Sequence, residues 1–311
     1  VWLSSLVACA VRLGQPDVVV GDGVARLPLV TPSTDRRRHY LPVEVDSLGP
    51  WIFFVDTGYS ASTCDDDFIE GLGLRARGRS PVRGELGSLT TSKARLPPMS
   101  LGPHRVERLI CQTRDLDSTS SIDDPPEVRV AGVIGVDVLR AFDVTIDGAW
   151  ISLAPPESRP TPGPGVVRLR RERWVGGRVL IDVDIDGAVD RLLLDTGASD
   201  TYLDGERLGL EASAVERVTL RGTGAQGSAV RDVRQYDVAE VSLGGEAMGP
   251  VRLTDRPRGA FTPGLLGLDV LGDYRQEYYF GAGWARFTAA PRAQLPAWED
   301  RPPGAVRVEA P

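Results

Sequence analysis

The stretch LLLDTGASDTYL, residues 192–203, sets a carboxylate, Asp195, directly after three leucines and follows it with Thr and Gly. An apolar run of this kind reads as a strand buried on both faces, and an acid at its end must leave water at some cost. The stretch WIFFVDTGYSAS, residues 51–62, repeats the arrangement 139 positions earlier, at Asp56. A lone Asp-Thr-Gly is an ordinary turn signal, with Asp and Gly supplying the geometry. From average residue usage its chance occurrence in a chain of this length is on the order of 0.1. Two copies, each after an apolar strand, need a further explanation.

The rest of the chain supplies it, because the whole surrounding unit recurs. After the first Asp-Thr-Gly come GLGL (71–74), MSLGP (99–103) and VAGVIGVDVL (130–139). After the second come RLGL (207–210), VSLGG (241–245) and TPGLLGLDVL (262–271). The offsets between matching pieces are 139, 136, 142 and 132 residues, a drift that loop-sized insertions explain. The chain therefore divides into an N-terminal segment (1–39), a first lobe (40–154), a Pro/Gly-rich linker with a lead-in strand (155–174), a second lobe (175–290) and a Pro-rich tail (291–311). LPVEVD (41–46) and VLIDVDID (179–186) alternate with period two, as half-buried strands do. Short helices fit the run from each Asp-Thr-Gly to Leu-Gly-Leu and the GVDVL and GLDVL segments. No long amphipathic helix is legible, and the fold class is all-β.

Composition narrows the function. With 36 Lys and Arg against 43 Asp and Glu, the net charge is −7, which argues against nucleic acid as a partner. The basic clusters DRRRHY (35–40) and RLRRER (168–173) read as solvated faces or strand edges. Two histidines and three cysteines without ligand-like spacing give no metal site. No G-x-S-x-G occurs to suggest a serine hydrolase. DVDIDG (182–187) opens like a calcium loop, but the position that should carry its Glu is Leu193, inside the apolar run. A strand ending in an Asp-Gly hairpin turn accounts for it. GTGAQG (222–227) matches a dinucleotide fingerprint, yet the next residues, SAVRDVRQYDVAEVSLGG, alternate like a strand instead of opening a helix. A Gly-rich hairpin tip is the better reading, and no cofactor is expected.

The first residues, VWLSSLVACAVRLGQ, hold LVAC, which resembles a bacterial lipobox ending at Cys9. The basic n-region and long apolar core of an ordinary signal peptide are missing. Two readings stand: a lipoprotein signal anchoring the protein to a membrane through a lipidated Cys9, or a first buried strand. Export would place the protein in the cell envelope or periplasm of a bacterium and would permit Cys64 and Cys111 to pair; a cytoplasmic location is the alternative.

If the two repeats pack about an approximate two-fold axis, Asp56 and Asp195 meet there. Two carboxyls that close share one proton and titrate as a unit. The ionised member can take a proton from water while the protonated one donates to a carbonyl oxygen, so that water adds to an amide. Gly58 and Gly197 let backbone approach the carboxyls, and Thr57 and Thr196 can brace the halves across the axis.

DTGYS at 56–60, DTGAS at 195–199 and the later VIG (133–135) and LLG (265–267) together resemble the aspartic proteases of retropepsin-like fold. The resemblance covers both halves and looks like a bacterial single-chain version with two fused retropepsin-type units. It implies two pseudo-symmetric β-barrel lobes with a cleft between them, a catalytic Asp56/Asp195 pair supported by Thr57, Gly58, Thr196 and Gly197, and a monomer acting on peptide or protein substrates. It also implies flaps near 82–92 and 221–230, the second with Gly222, Thr223 and Gly224 at its tip. Tyr59 departs from the pattern, standing where Ala or Ser is usual, and would line the substrate site and narrow it. The alternative to an endopeptidase is a degenerate protein of the same fold that binds extended peptides in the envelope.

Overall fold

The computed structural model describes residues 16–30, 38–84, 87–116, 130–156, 159–172, 177–221, 228–256 and 264–289. Its first half runs β1 (Asp17–Val19), β2 (Ala25–Pro28), β3 (Tyr40–Val45), β4 (Leu48–Val55), β5 (Thr63–Asp65), α1 (Asp66–Gly71), β6 (Arg77–Gly84), β7 (Gly87–Arg95), β8 (Met99–Leu101), β9 (His104–Glu107), β10 (Ile110–Arg114), β11 (Val130–Ile134), α2 (Val136–Leu139), β12 (Asp143–Asp147) and β13 (Trp150–Ala154). The second half runs β14 (Val166–Arg168), β15 (Arg170–Arg171), β16 (Val179–Ile185), β17 (Ala188–Leu194), β18 (Tyr202–Leu203), β19 (Ala214–Arg221), β20 (Ser228–Leu243), β21 (Glu246–Asp255), β22 (Leu265–Leu266), α3 (Leu268–Leu271), β23 (Tyr274–Tyr279) and β24 (Trp284–Ala289).

The alternating segments become hairpins. β16 and β17 close on Ile185↔Ala188, with Asp186 and Gly187 both at positive φ (49° and 84°). That is the turn whose twist matches paired strands, so DVDIDG is a strand end and hairpin. β3 and β4 repeat it on Val45↔Leu48, with Asp46 and Ser47 in the left-handed region. Along both strand pairs one set of side chains enters the lobe core. Val43, Val45, Phe53 and Val55 do so in the first lobe, and Val183, Ile185, Leu192 and Leu194 in the second.

In each lobe a parallel strand then slots beside the one that ends at the Asp. β11 runs parallel to β4 (Ile134↔Val55) and antiparallel to β5. β22 runs parallel to β17 (Leu266↔Leu194) and antiparallel to β18. The second lobe closes into a ring, β16-β17-β22-β18-β21-β20 and back to β16. The first lobe has the same order with its long strands divided: β7 and β8 occupy the place of β20, and β9 and β10 that of β21. Pro97 and Pro98 lie at the break between β7 and β8, where missing N–H groups interrupt a ladder. At the matching place β20 is unbroken and carries register shifts between Val238 and Val241 and between Val241 and Ser242.

A third sheet joins the lobes in the order β14-β24-β23-β12-β13-β2. It reads the same from either edge, three strands from each half. The axis falls between β12 and β23, which pair antiparallel from Asp143↔Tyr279 to Ile146↔Gln276. The architecture is all-β with two pseudo-symmetric lobes.

The helices depart in one respect from the sequence expectation. α2 and α3 follow their Val-Ile-Gly and Leu-Leu-Gly strands as expected, and α1 forms after the first Asp-Thr-Gly with Asp65 accepting from the N–H groups of Asp67 and Phe68. Residues 204–209 form only turns. From Asp204 to Leu210 the chain is three residues shorter than from Asp65 to Leu74. Moreover, Gly205 lies against the Tyr236 ring, where a side chain would collide. Too little chain remains for a helix beyond one turn.

Candidate active site at the lobe interface

Asp56 and Asp195 each follow the last residue of a core strand, and their own N–H groups bond to the slotted neighbours: Asp56 N to Ile134 O and Asp195 N to Leu266 O, both 3.1 Å. Each carboxylate then folds back on its own turn. Gly58 N donates to Asp56 Oδ1 at 2.7 Å, and Gly197 N to Asp195 Oδ1 at 2.9 Å.

The turns interlock across the lobe boundary. Thr57 Oγ1 donates to Leu194 O (3.0 Å) and accepts from Thr196 N (3.0 Å). Thr196 Oγ1 donates to Val55 O (3.1 Å) and accepts from Thr57 N (3.1 Å). Both threonines are fully buried, so four hydrogen bonds shielded from water fix one turn against the other.

This clamp brings the two acids together, each carboxyl lying against the glycine of the opposite turn. Neither glycine is at positive φ; each is required by close approach. A Cβ on Gly58 would lie 2.5 Å from Asp195 Oδ2, and one on Gly197 would strike the Asp56 carboxyl. Burial, then the adjacent Asp195 charge, hold the Asp56 carboxyl well above the ordinary carboxylate range, against the Gly58 N–H and the positive charge of Arg38. Burial also raises Asp195, opposed by the Gly197 N–H, the charge of Arg178, the bond from Asp56 and the Ala198 N–H. Both carboxyls are thus raised by burial, and the pair titrates as one system.

Of the residues singled out in the sequence, Asp56, Thr57, Gly58, Asp195, Thr196 and Gly197 converge at this point. Tyr59 stands beside it, half-buried. Gly222, Thr223 and Gly224 lie outside the described residues, as does Cys9. The strands flanking the Gly-rich segment, β19 and β20, pair up to Arg221↔Ser228; a strand, not a helix, comes after GTGAQG. Cys64 and Cys111 form a disulfide that ties β5 to β10, with their Cα atoms 5.8 Å apart.

The sequence reading missed a second layer. Ser62, six residues after Asp56, donates its hydroxyl to Asp137 Oδ1 (2.7 Å) and accepts from Gly135 N (3.1 Å). Thr201, six after Asp195, does the same with Asp269 Oδ1 (2.6 Å) and Gly267 N (2.9 Å). Burial pushes the Asp137 and Asp269 carboxyls up from their ordinary value, against these hydrogen bonds. Each set ties the end of its Asp-Thr-Gly turn to the start of α2 or α3. The signal was present: both halves carry a hydroxyl six residues after the Asp, and an Asp two after the later Gly. Arg38 and Arg178, whose charges act on the pair, left no such signal.

Two half-domains of this topology, meeting at paired Asp-Thr-Gly turns, define a retropepsin-like aspartyl protease fold with both halves in one chain. The family model described as aspartyl protease matches residues 41–138 and 181–270, more than half of the sequence, and the chain belongs to that family. No curated protein matches the chain.

Proposed function

We propose that the protein is an aspartic endopeptidase in which Asp56 and Asp195 activate water against a peptide bond. The observation that carries this is the pair of carboxyls held together by the threonine clamp, each against the glycine of the opposite turn. Asp195 ionises and serves as general base toward a water held between the carboxyls. Asp56 keeps its proton and donates it to the carbonyl oxygen as the tetrahedral intermediate forms. Asp195 then returns the proton it took from water to the leaving amine as the C–N bond breaks, and Asp56 recovers one from a hydroxyl of the intermediate. The hairpins β6–β7 and β19–β20 are the flaps that cover the substrate. A disulfide supports an oxidising compartment, hence the cell envelope or periplasm. Pairing of the two halves within one chain supports a monomer.

The test is hydrolysis of an unfolded protein substrate across pH by wild type, Asp56→Asn and Asp195→Asn. Each substitution is expected to cost at least about 100-fold, within the range of general acid–base catalysis. The wild-type profile should be a bell. At low pH both carboxyls are protonated and no base remains; at high pH both are ionised and no acid remains. Because both are raised in the fold, the bell lies above the ordinary carboxylate range. Full activity in Asp195→Asn would overturn the mechanism. Peptide binding without turnover by wild type would favour the degenerate peptide-binding reading.

A further inference from the structure

Each lobe carries a small apolar cluster separate from the main core, and the two are built from matching positions. In the first lobe Phe54, Val133 and Tyr59 pack with Val30, Tyr40 and Ile52; in the second Leu193, Leu265 and Ala198 pack with Leu180 and Tyr202. Phe54 and Leu193 each lie two residues before an Asp of the pair. Val133 and Leu265 are their register partners on the parallel strand. Tyr59 and Ala198 each lie three after the Asp, and their carbonyls accept from the first residue of the following helix, Val136 and Leu268.

Strand periodicity says which way these clusters face. Phe53, Val55, Leu192 and Leu194 enter the main core. Phe54 and Leu193 therefore point to the opposite face, the one that Asp56 and Asp195 share with them at a spacing of two. The clusters are the walls on either side of the carboxyl pair. Phe54, Tyr59, Ala198 and Tyr202 are only half-buried, so the walls remain open to an incoming chain.

The walls are not equal. Where the second has the methyl of Ala198, the first has the phenol of Tyr59, and its hydroxyl accepts from Nη1 of the buried Arg114 at 3.2 Å. That bond reaches the ring from the end of β10, so the ring is held and does not swing aside freely. We propose that Tyr59, positioned by Arg114, is a specificity-determining residue. It restricts the first-lobe side of the cleft to small substrate side chains, while the second-lobe side, lined by Ala198 and Tyr202 over the buried Leu193 and Leu265, takes a large apolar one. The substrate class is thus an extended peptide with a small residue and a large apolar residue at two-fold-related positions about the scissile bond. The inference rests on the peptide-cleft reading above, but not on the cleft being hydrolytic.

Two readouts separate those claims. A defined peptide mixture is digested by wild type, Tyr59→Ala, Tyr59→Phe and Ala198→Tyr, and cleavage sites are read by mass spectrometry. In parallel, statine-centred peptides differing only in one flanking side chain are titrated calorimetrically against the same proteins. Tyr59→Ala should improve acceptance of a large side chain at the restricted position by roughly 10–200-fold, the range for apolar pocket fit, leaving the other position unchanged. Ala198→Tyr should restrict the other position, and Tyr59→Phe should relax the first only partly. If Tyr59→Ala does not fold, Tyr59→Leu replaces it with the same expected direction. Wild type that cleaves nothing yet binds the statine peptides with this preference defeats the hydrolase reading and sustains the subsite. Profiles and affinities blind to Tyr59→Ala, or no binding and no cleavage by any of the proteins, overturn the subsite.

Discussion

Replacing Thr196 by Val tests whether the clamp between the turns holds the lobes in register. Val keeps the branched shape and deletes one hydroxyl, and with it two of the four inter-lobe bonds: that from Thr57 N and that to Val55 O. The Thr57 N–H is left buried without its acceptor, a loss of about 1–3 kcal/mol for an orphaned group. The Val55 carbonyl loses a donor, about 1 kcal/mol more. The expected destabilisation is about 2–4 kcal/mol, a large fraction of the ~5–15 kcal/mol that holds a typical protein folded. Urea unfolding followed by tryptophan fluorescence reads it, with Thr288→Val, an exposed strand position, as the control expected within about 0.5 kcal/mol of wild type. Because the same bonds aim the carboxyls, hydrolysis at low urea should fall by about 10–100-fold as the pair is misplaced. Coincident unfolding curves for wild type and Thr196→Val would refute the reasoning.

Two further predictions concern the pair itself. Gly197→Ala should reduce hydrolysis by about 100-fold with the fold retained, because its Cβ displaces the Asp56 carboxyl; Gly71→Ala, with open space around it, should leave activity unchanged. Circular dichroism and a rate assay decide, and equal activity of the two variants would contradict the close approach. Asp56→Asn should be more stable than wild type at neutral pH, by a margin that vanishes near pH ~3. A carboxyl raised in the fold gives stability that is full below its unfolded constant and is lost as pH rises through the folded one. Melting temperatures across pH would show the two curves converging on acidification; a margin independent of pH would count against the raised carboxyl.

What could be read from the sequence was what period and repetition encode. The alternation in VLIDVDID gave a strand, its Asp-Gly end a hairpin, and the recurrence of Asp-Thr-Gly with a later apolar-apolar-Gly gave two equivalent lobes. The acids of the candidate site were legible because a carboxylate after Phe-Phe-Val or Leu-Leu-Leu conflicts with local burial, and such conflict is where a functional site is expected. The missing second helix was not legible, since it depends on chain length between Asp204 and Leu210 and on the Tyr236 ring, which arrives from β20. Nor was the action of Arg38 and Arg178 on the acids, for these residues reach the pair through the lead-ins to β3 and β16 and obey no period. Asp137 and Asp269 were visible in GVDVL and GLDVL, but a single acid in a short helix carries no signal of its own until its Ser62 or Thr201 partner is placed in space.

The comparison of the halves also shows where the two-fold axis constrains the chain. On the axis each half presents the same groups: Asp, Thr and Gly, each bonding its counterpart or filling the space its counterpart leaves. A change in one half there would strand a partner in the other, as the Thr57–Thr196 exchange makes plain. Away from the axis a lobe need only satisfy itself, and the halves solve the same problem differently. Cys64 and Cys111 are joined covalently, closing a loop of 47 residues, which on chain-entropy grounds contributes about 4 kcal/mol. The second lobe has the fully buried Leu203 at the place of Cys64 and holds that strand to β21 by pairing and apolar packing, without a covalent link. Tyr59 and Ala198 lie at the border between these regimes, one step off the axis and, in the subsite proposed above, on the cleft wall. On that proposal, divergence there leaves the hydrogen bonds of the two turns in place and would change what the cleft can hold, so the asymmetry of a substrate would be written at that position and not at the acids.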